Sequence, residues 1–254
     1  MSTSAAAEAG VPDTTLAVPA RTLSAGAGWD WVVGGWGLFT RAPLMWVIAI
    51  VVLFVVAVVL NLVPIIGSLA FQLLQPVIAA GFVAGCRSLE MGGELEIEHL
   101  VAGFSKRFGS LLIVGFITML GWIVIFVVFL GFVGLSILSA LLAGNPDMVL
   151  TALATSATTM LLGLLVVALL AMPLMAAYWF APALVMLNDM KPLEAMKASF
   201  LAAFRNFFGA LLFAIVMLVL AIIAVIPFGL GMLVWFPLLV GSSYRAYRQI
   251  FTEP

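Results

Sequence analysis

Residues 209–226 run from Gly209 to Ile226 without a single polar side chain. A helix of about 20 such residues spans the hydrocarbon core of a bilayer. A helix of that length on a water-soluble domain would need a polar face, and this one has none. Five further stretches share the character: 43–63, 67–89, 110–143, one that starts between 150 and 160 and ends near Leu187, and one from Pro227-Phe228-Gly229 to about 249. In lipid a spanning segment must satisfy its own backbone hydrogen bonds, so these stretches predict helices. Composition agrees: 65% of the 254 residues are hydrophobic and 8% are charged, against about 25% charged in a soluble domain. No interior of this size hides so many apolar side chains from water. The expected fold class is all-α, a polytopic membrane protein with six transmembrane helices.

Basic residues set the orientation, because Lys and Arg concentrate on the cytoplasmic side. Arg21 and Arg41 precede the first span. Arg87, Lys106 and Arg107 surround the second connection, Lys191, Lys197 and Arg205 the fourth, and Arg245 and Arg248 end the chain. The connections near 64–67, 144–157 and 227–231 hold none. This alternation predicts an even number of crossings in a bacterial inner membrane, with both termini in the cytoplasm. Residues 1–27, rich in Ala, Ser, Thr, Pro and Gly, lack the basic start and apolar core of a signal peptide and are expected to be a disordered tail.

The inner connections carry helical periodicity of their own. Trp29, Val32, Val33 and Trp36 share a face in 28–41. Ile97, Leu100, Val101, Phe104 and Phe108 do so in 94–108, and Phe200, Phe204, Phe207 and Phe208 in 191–208. These predict amphipathic helices lying along the cytoplasmic surface in the membrane interface, where aromatic rings are favoured. Each precedes a spanning hairpin. The predicted architecture is one membrane domain, 28–254, built from three repeats at about 28–90, 94–187 and 191–250. The second and third align without gaps at their starts, pairing Ala102 with Ala202, Phe104 with Phe204, Phe108 with Phe208 and Gly109 with Gly209. The second span of each repeat holds a proline followed by small residues: Pro76 with Ala80 and Gly81, Pro173 with Ala176 and Ala177, Pro237 with Gly241. A proline frees a carbonyl that lipid cannot satisfy, and small residues let a neighbouring helix close over it. The even-numbered spans are therefore expected to be bent and packed toward the bundle centre. Gly81-x-x-x-Gly85 serves that packing or a dimer contact.

Catalytic chemistry is not legible. No Asp, Glu, Lys, Arg or His sits at a mid-membrane position, which argues against an ion-coupled pump. His99 is the only histidine, so a histidine-rich metal site is excluded. Glu90, Glu94, Glu96, Glu98 and His99 read as a solvated helix start. No phosphate-cradling glycine motif occurs, and the net charge of −1 leaves no footprint for nucleic acid. No cofactor, metal ligand or catalytic residue is assigned. The polar residues that stand out are Gln72 and Gln75, beside Pro76 and near Asn61, and Arg87 and Arg248 at inner helix ends. They are candidates for a polar path or for lipid-headgroup contacts.

Three features carry a resemblance: Trp31 to Pro43 as W-x(3,4)-GW-x-LF-x(3)-P, the proline and small residues of the second spans, and F-x-x-x-F-G at Phe104–Gly109 and Phe204–Gly209. In these the chain resembles a family of proteobacterial six-span inner-membrane proteins, the BPSS-type family, over nearly everything after residue 28. More remotely it is similar to the membrane domain of some glycerophosphodiester phosphodiesterases, without the catalytic domain. The resemblance implies location and architecture and transfers no activity. Two functions are expected from it and from the residues. The first is a non-enzymatic assembly or regulatory component of the cell envelope, whose partners are membrane lipids and another membrane protein or a second copy. The alternative is a passive carrier, channel or lipid-handling protein using a crevice between proline-bent helices, with flux that weakens when Gln75 or Arg87 is replaced.

Overall fold

The computed structural model describes residues 19–142 and 146–252, together with Leu16. Ten helices are described: α1 (Ala27–Arg41), α2 (Pro43–Asn61), α3 (Ile66–Glu90), α4 (Ile97–Lys106), α5 (Phe108–Leu142), α6 (Pro146–Trp179), α7 (Ala181–Asn188), α8 (Pro192–Arg205), α9 (Phe207–Val225) and α10 (Met232–Phe251). No strand occurs among the described residues. Pro43 opens α2, and Ala42 before it is forced out of helical geometry (φ −147°, ψ 56°), which separates α1 from α2. Of the turn expected at Gly144-Asn145-Pro146-Asp147, Gly144 and Asn145 lie outside the described residues, and Pro146 and Asp147 are helical. The connection expected over 144–157 is shorter than the sequence predicts, because the helix already resumes at Pro146. Proline at a first helical turn needs no N–H there and starts the helix.

Five helical segments are long and apolar enough to cross a membrane: Pro43–Asn61, Ile66–Glu90, Phe108–Gly131, Met160–Asn188 and Phe207–Val225. α10 is not among them, because its second half carries Ser242, Ser243, Tyr244, Arg245, Arg248 and Gln249. It is nonetheless well covered by protein, with Pro237, Leu238, Gly241, Ser242, Tyr244, Ala246, Tyr247, Ile250 and Phe251 buried. By contrast Val55, Val59, Phe126, Leu165, Leu169, Leu218 and Ile222 are exposed along the five apolar segments. A water-soluble monomer does not expose contiguous apolar area on this scale, and acyl chains are the solvent that these faces fit.

The chain divides into two compact units. One holds residues 1–50, 86–95 and 201–254, the other 51–85 and 96–200. In the first, α1 packs antiparallel on α10. Trp31 donates from Nε1 to Gln249 Oε1 at 2.9 Å, Gly34 lies on Arg245, and Gly35 lies on Ser242. Trp31 is fully buried and meets Phe213 edge-on at 6.0 Å. The segment before α1 is pinned at the same place. Asn206 accepts from the Leu23 N–H (2.7 Å) and donates to the Arg21 carbonyl (2.8 Å), while Arg21 N–H donates to the Ile250 carbonyl (3.0 Å). Thus Arg21 and Leu23 of the expected 1–27 tail are tied to Asn206 and to the end of α10; residues 1–15, 17 and 18 lie outside the described residues.

In the second unit α5 pairs most extensively with α6. α4 crosses α3 where Gly81 abuts the carbonyls of His99 and Leu100 and Gly103 abuts that of Val77. Gly115 of α5 meets Leu73 and the Pro76 ring. Pro76 is buried, as expected for a covered kink. Pro173 is not, and this corrects the expectation for the fourth span. It is exposed, with Met172 and Met175 exposed beside it. α6 packs mainly on α5, and an apolar ring facing acyl chains has no need of protein cover.

The break in the fourth span falls later, at Phe180. Ser199 Oγ of α8 sits inside the backbone ladder, accepting from the Phe180 N–H at 2.9 Å and donating to the Ala176 carbonyl at 2.6 Å. A hydroxyl inserted into the ladder bends a helix, and Pro182 removes the next bond but one. The three connection helices expected from periodicity are present as α1, α4 and α8. Their apolar stripes face outward: Trp29, Val33 and Trp36 on α1, Ile97, Val101 and Phe104 on α4, and Phe204 on α8 are exposed. Val32, placed on the α1 stripe by spacing, is turned inward and buried, because that side of α1 rests on other helices.

Candidate functional site

The second unit contains a cleft of about 460 Å³. One wall is α3, with Phe71, Gln72 and Gln75. Gln72 and Gln75 are one turn apart and share a face, as i and i+3 must. Asn61 and Ser68 close one end, tied by a Ser68 Oγ to Asn61 Oδ1 hydrogen bond of 2.9 Å. The opposite wall is α5, with Thr118 and Trp122, and α6, with Met175 and Tyr178. Thr118 and Trp122 fall near the middle of the apolar segment Phe108–Gly131, so the cleft opens at membrane depth.

Its electrostatics are simple. Among the described residues that line it, none is acidic, basic or histidine. Thr118 donates to the Val114 carbonyl at 2.8 Å and is thereby satisfied within its own helix. Asn61 donates to the Ala57 carbonyl at 2.8 Å and accepts from Ser68. The Gln72 and Gln75 amides, the Trp122 indole N–H and the Tyr178 hydroxyl make no hydrogen bond to the protein among the described residues. Two amides, an indole and a phenol therefore converge on one volume with unspent donors and acceptors. Hydrocarbon offers such groups nothing, and each left unmet there costs of the order of 1–3 kcal/mol.

The sequence marked Gln72 and Gln75, and the structure brings both to the cleft. It does not bring Arg87 or Arg248 there. Arg87 is half-buried and makes no side-chain hydrogen bond or ion pair among the described residues. Arg248 belongs to a cluster in the first unit. Glu90, at the end of α3, accepts from Tyr244 Oη (2.6 Å) and Arg245 Nη1 (2.7 Å), and Arg248 Nε lies 3.1 Å from its second oxygen. Glu90 is thus an ion-pair centre rather than part of a solvated acidic start, which corrects the sequence reading. Glu96 and His99 do act at a helix start, the Glu96 N–H donating to His99 Nδ1 at 3.0 Å. Among the described residues no three His, Cys, Asp or Glu side chains come together as metal ligands would. Sequence reasoning passed over Trp122, Thr118 and Tyr178. Thr118 was the available signal, a hydroxyl in an otherwise apolar run.

A second hollow, about 680 Å³, lies between residues 21–24, the start of α1 and Gln249. Its lining is polar and charged, with Arg21, Thr22, Ser24, Asp30 and Gln249, and none of these residues belongs to an apolar segment long enough to cross a membrane. The membrane-depth cleft is the better candidate.

Helices clothed in exposed apolar side chains, with a polar cleft at mid-depth, define a multi-pass α-helical membrane protein. No family profile and no solved structure matches the chain. A probable inner membrane protein of Burkholderia thailandensis is 30% identical over 256 residues, covering 90% of this chain and 92% of the relative. The chain belongs to the same family of inner-membrane proteins and is a multi-pass protein of that membrane.

Proposed function

We propose that the chain is a six-span carrier or lipid-handling protein whose working site is the cleft of Gln72 and Gln75. The observation that carries this reading is the set of unmet amide, indole and phenol groups at membrane depth, where only a ligand or water can meet them. The crevice borders Pro76, as the carrier alternative requires. An envelope assembly component remains the second reading, favoured by the outward apolar faces of α1, α4 and α8. Neither reading involves catalysis. The BPSS-type kinship, and the remoter one to the phosphodiesterase membrane domain, rest on the motifs at Trp31–Pro43 and at the two F-x-x-x-F-G entries.

Several contacts support six crossings with both termini inside. The Arg21–Ile250 hydrogen bond brings the segment before α1 to the end of α10, which favours an even number of crossings. Five segments are apolar enough, and α10, its polar half covered by α1, is read as the sixth. Arg41 donates to the Leu89 carbonyl at 2.6 Å, and Arg107 pairs with Asp189, joining ends that the basic residues place inside. The order of helices, α1-α2-α3, α4 to α7, α8-α9-α10, supports three repeats of connection helix plus hairpin. With single cysteines in intact cells, an impermeant maleimide is expected to modify Phe228→Cys at once, and Lys197→Cys and Thr22→Cys only after the membrane is opened. Equal labelling from outside of Phe228→Cys and of a cysteine appended after Pro254 would refute a crossing by α10.

The functional test is a proteoliposome assay of small-solute uptake and of lipid movement between leaflets. Wild-type protein is expected to accelerate one of them, and Gln72→Leu with Gln75→Leu to reduce the rate by about tenfold, the worth of one or two hydrogen bonds. Arg87→Gln is expected to leave it unchanged, since Arg87 does not line the cleft. Absence of both activities in the wild type would leave the assembly reading in possession.

A further inference from the structure

Resting on the cleft as the working site, we infer that its ligand is uncharged and hydroxyl-rich, about one sugar ring in size, either free or as the headgroup of a glycolipid. The first ground is the absence of charge. A phosphate, carboxylate or ammonium group entering the cleft would lose its hydration with no opposite charge among the described residues of the lining. Desolvating an ion without a partner costs several kcal/mol, which excludes tight binding of ionic headgroups. The second ground is the kind of polar group present. The amides of Gln72 and Gln75 each offer donors and acceptors side by side. Neighbouring hydroxyls on a ring do the same, so one amide can give to one hydroxyl and accept from the next. An ionic ligand would use only half of that capacity.

The third ground is the aromatic content. Trp122, Tyr178 and Phe71 line the same volume. The face of a pyranose ring is a patch of C–H groups ringed by hydroxyls, and it packs on flat aromatic surface while its edge bonds to polar groups. Trp122 and Tyr178 supply both, a ring face and an N–H or O–H at its rim. A purely apolar ligand would leave four polar groups unmet, and water alone would leave the aromatic faces unused. Size fits as well. A volume of about 460 Å³ holds a small ring and some water, and falls in the range of small-molecule sites. The cleft lies at the depth of the acyl chains, which also admits the glycerol-linked portion of a glycolipid.

The test uses the full chain in phosphatidylcholine nanodiscs prepared without glycoside detergents. Three probes are titrated: labelled glucose, a glucosyl diacylglycerol and phosphatidylglycerol. Saturable binding of glucose, of the glucosyl lipid or of both is expected, weakened by about tenfold or more in Gln72→Leu with Gln75→Leu. Trp122→Phe, which keeps a ring and loses the N–H, is expected to weaken binding less than Trp122→Ala. Binding of glucose but not the lipid marks a free-solute site, and the reverse marks a headgroup site. Binding of phosphatidylglycerol as tight as either sugar probe, and equally sensitive to the glutamine changes, would overturn the neutral-ligand inference while sustaining the cleft. No saturable sugar binding in the wild type would overturn it also. Sugar binding untouched by the glutamine and Trp122 variants would place the site elsewhere and defeat both readings. Monodisperse elution of each variant checks that it is folded.

Discussion

Glu90→Ala is expected to lower stability by about 2–3 kcal/mol, somewhat less than the loss of one partner from a fully buried pair. Glu90 is the carboxylate that joins Tyr244, Arg245 and Arg248, and the side chains of Glu90, Arg245 and Arg248 are each only about a quarter exposed. Without it Arg245 and Arg248 each lose an ion-pair partner, and the Tyr244 hydroxyl loses its acceptor. In detergent this is expected to lower the melting temperature by about 4–12 °C for a chain of this size. Glu90→Gln keeps an acceptor and loses the charge, and should fall between. The combined change Glu90→Leu, Arg245→Leu and Arg248→Leu should recover much of the loss, because apolar residues of similar volume replace a buried ion pair well. A melting temperature for Glu90→Ala equal to the wild type would show the cluster to be a screened surface contact.

That cluster also marks where sequence reading stops. The apolar runs were legible because lipid imposes one rule on every residue of a span, so 43–63 and 209–226 differ from α2 and α9 by little more than end effects. Trp29, Val33 and Trp36 were legible for the same reason, since their stripe answers to the solvent. Glu90 was not, because its meaning depends on Tyr244, Arg245 and Arg248, far away in sequence. The bend at Phe180 was similarly hidden. Pro173 advertised a kink, but the ladder is opened by Ser199, a residue of another helix. In the cleft, Gln72 and Gln75 were conspicuous because amides are rare in an apolar helix. Trp122 and Tyr178 were not, because an aromatic residue in a span has an ordinary explanation until a neighbour's amides are seen opposite it.

Gly35→Ala and Gly37→Ala are expected to change stability in opposite directions. Both sit in α1, and alanine is the better helix former by about 1 kcal/mol. A methyl group at Gly37 meets nothing within 4 Å, so that variant should gain up to this amount. A methyl group at Gly35 would lie 2.5 Å from the Ser242 nitrogen and 2.9 Å from its Cα. Backbone cannot swing aside as a long side chain can, so α1 must draw back from α10. Withdrawal strains the Trp31–Gln249 hydrogen bond and uncovers Ser242, Arg245 and Gln249, the polar half of a helix read as crossing the membrane. A loss of about 1–3 kcal/mol is expected, the usual penalty of overpacking, and Gly35→Val should fail to accumulate as folded protein. The pair separates two accounts of the C-terminal helix. If α10 depends on α1 to hide its polar residues from lipid, Gly35→Val should also leave Phe228→Cys and a cysteine appended after Pro254 on the same side in the labelling assay. If α10 crosses unaided, the two cysteines stay on opposite sides and only the melting temperature moves.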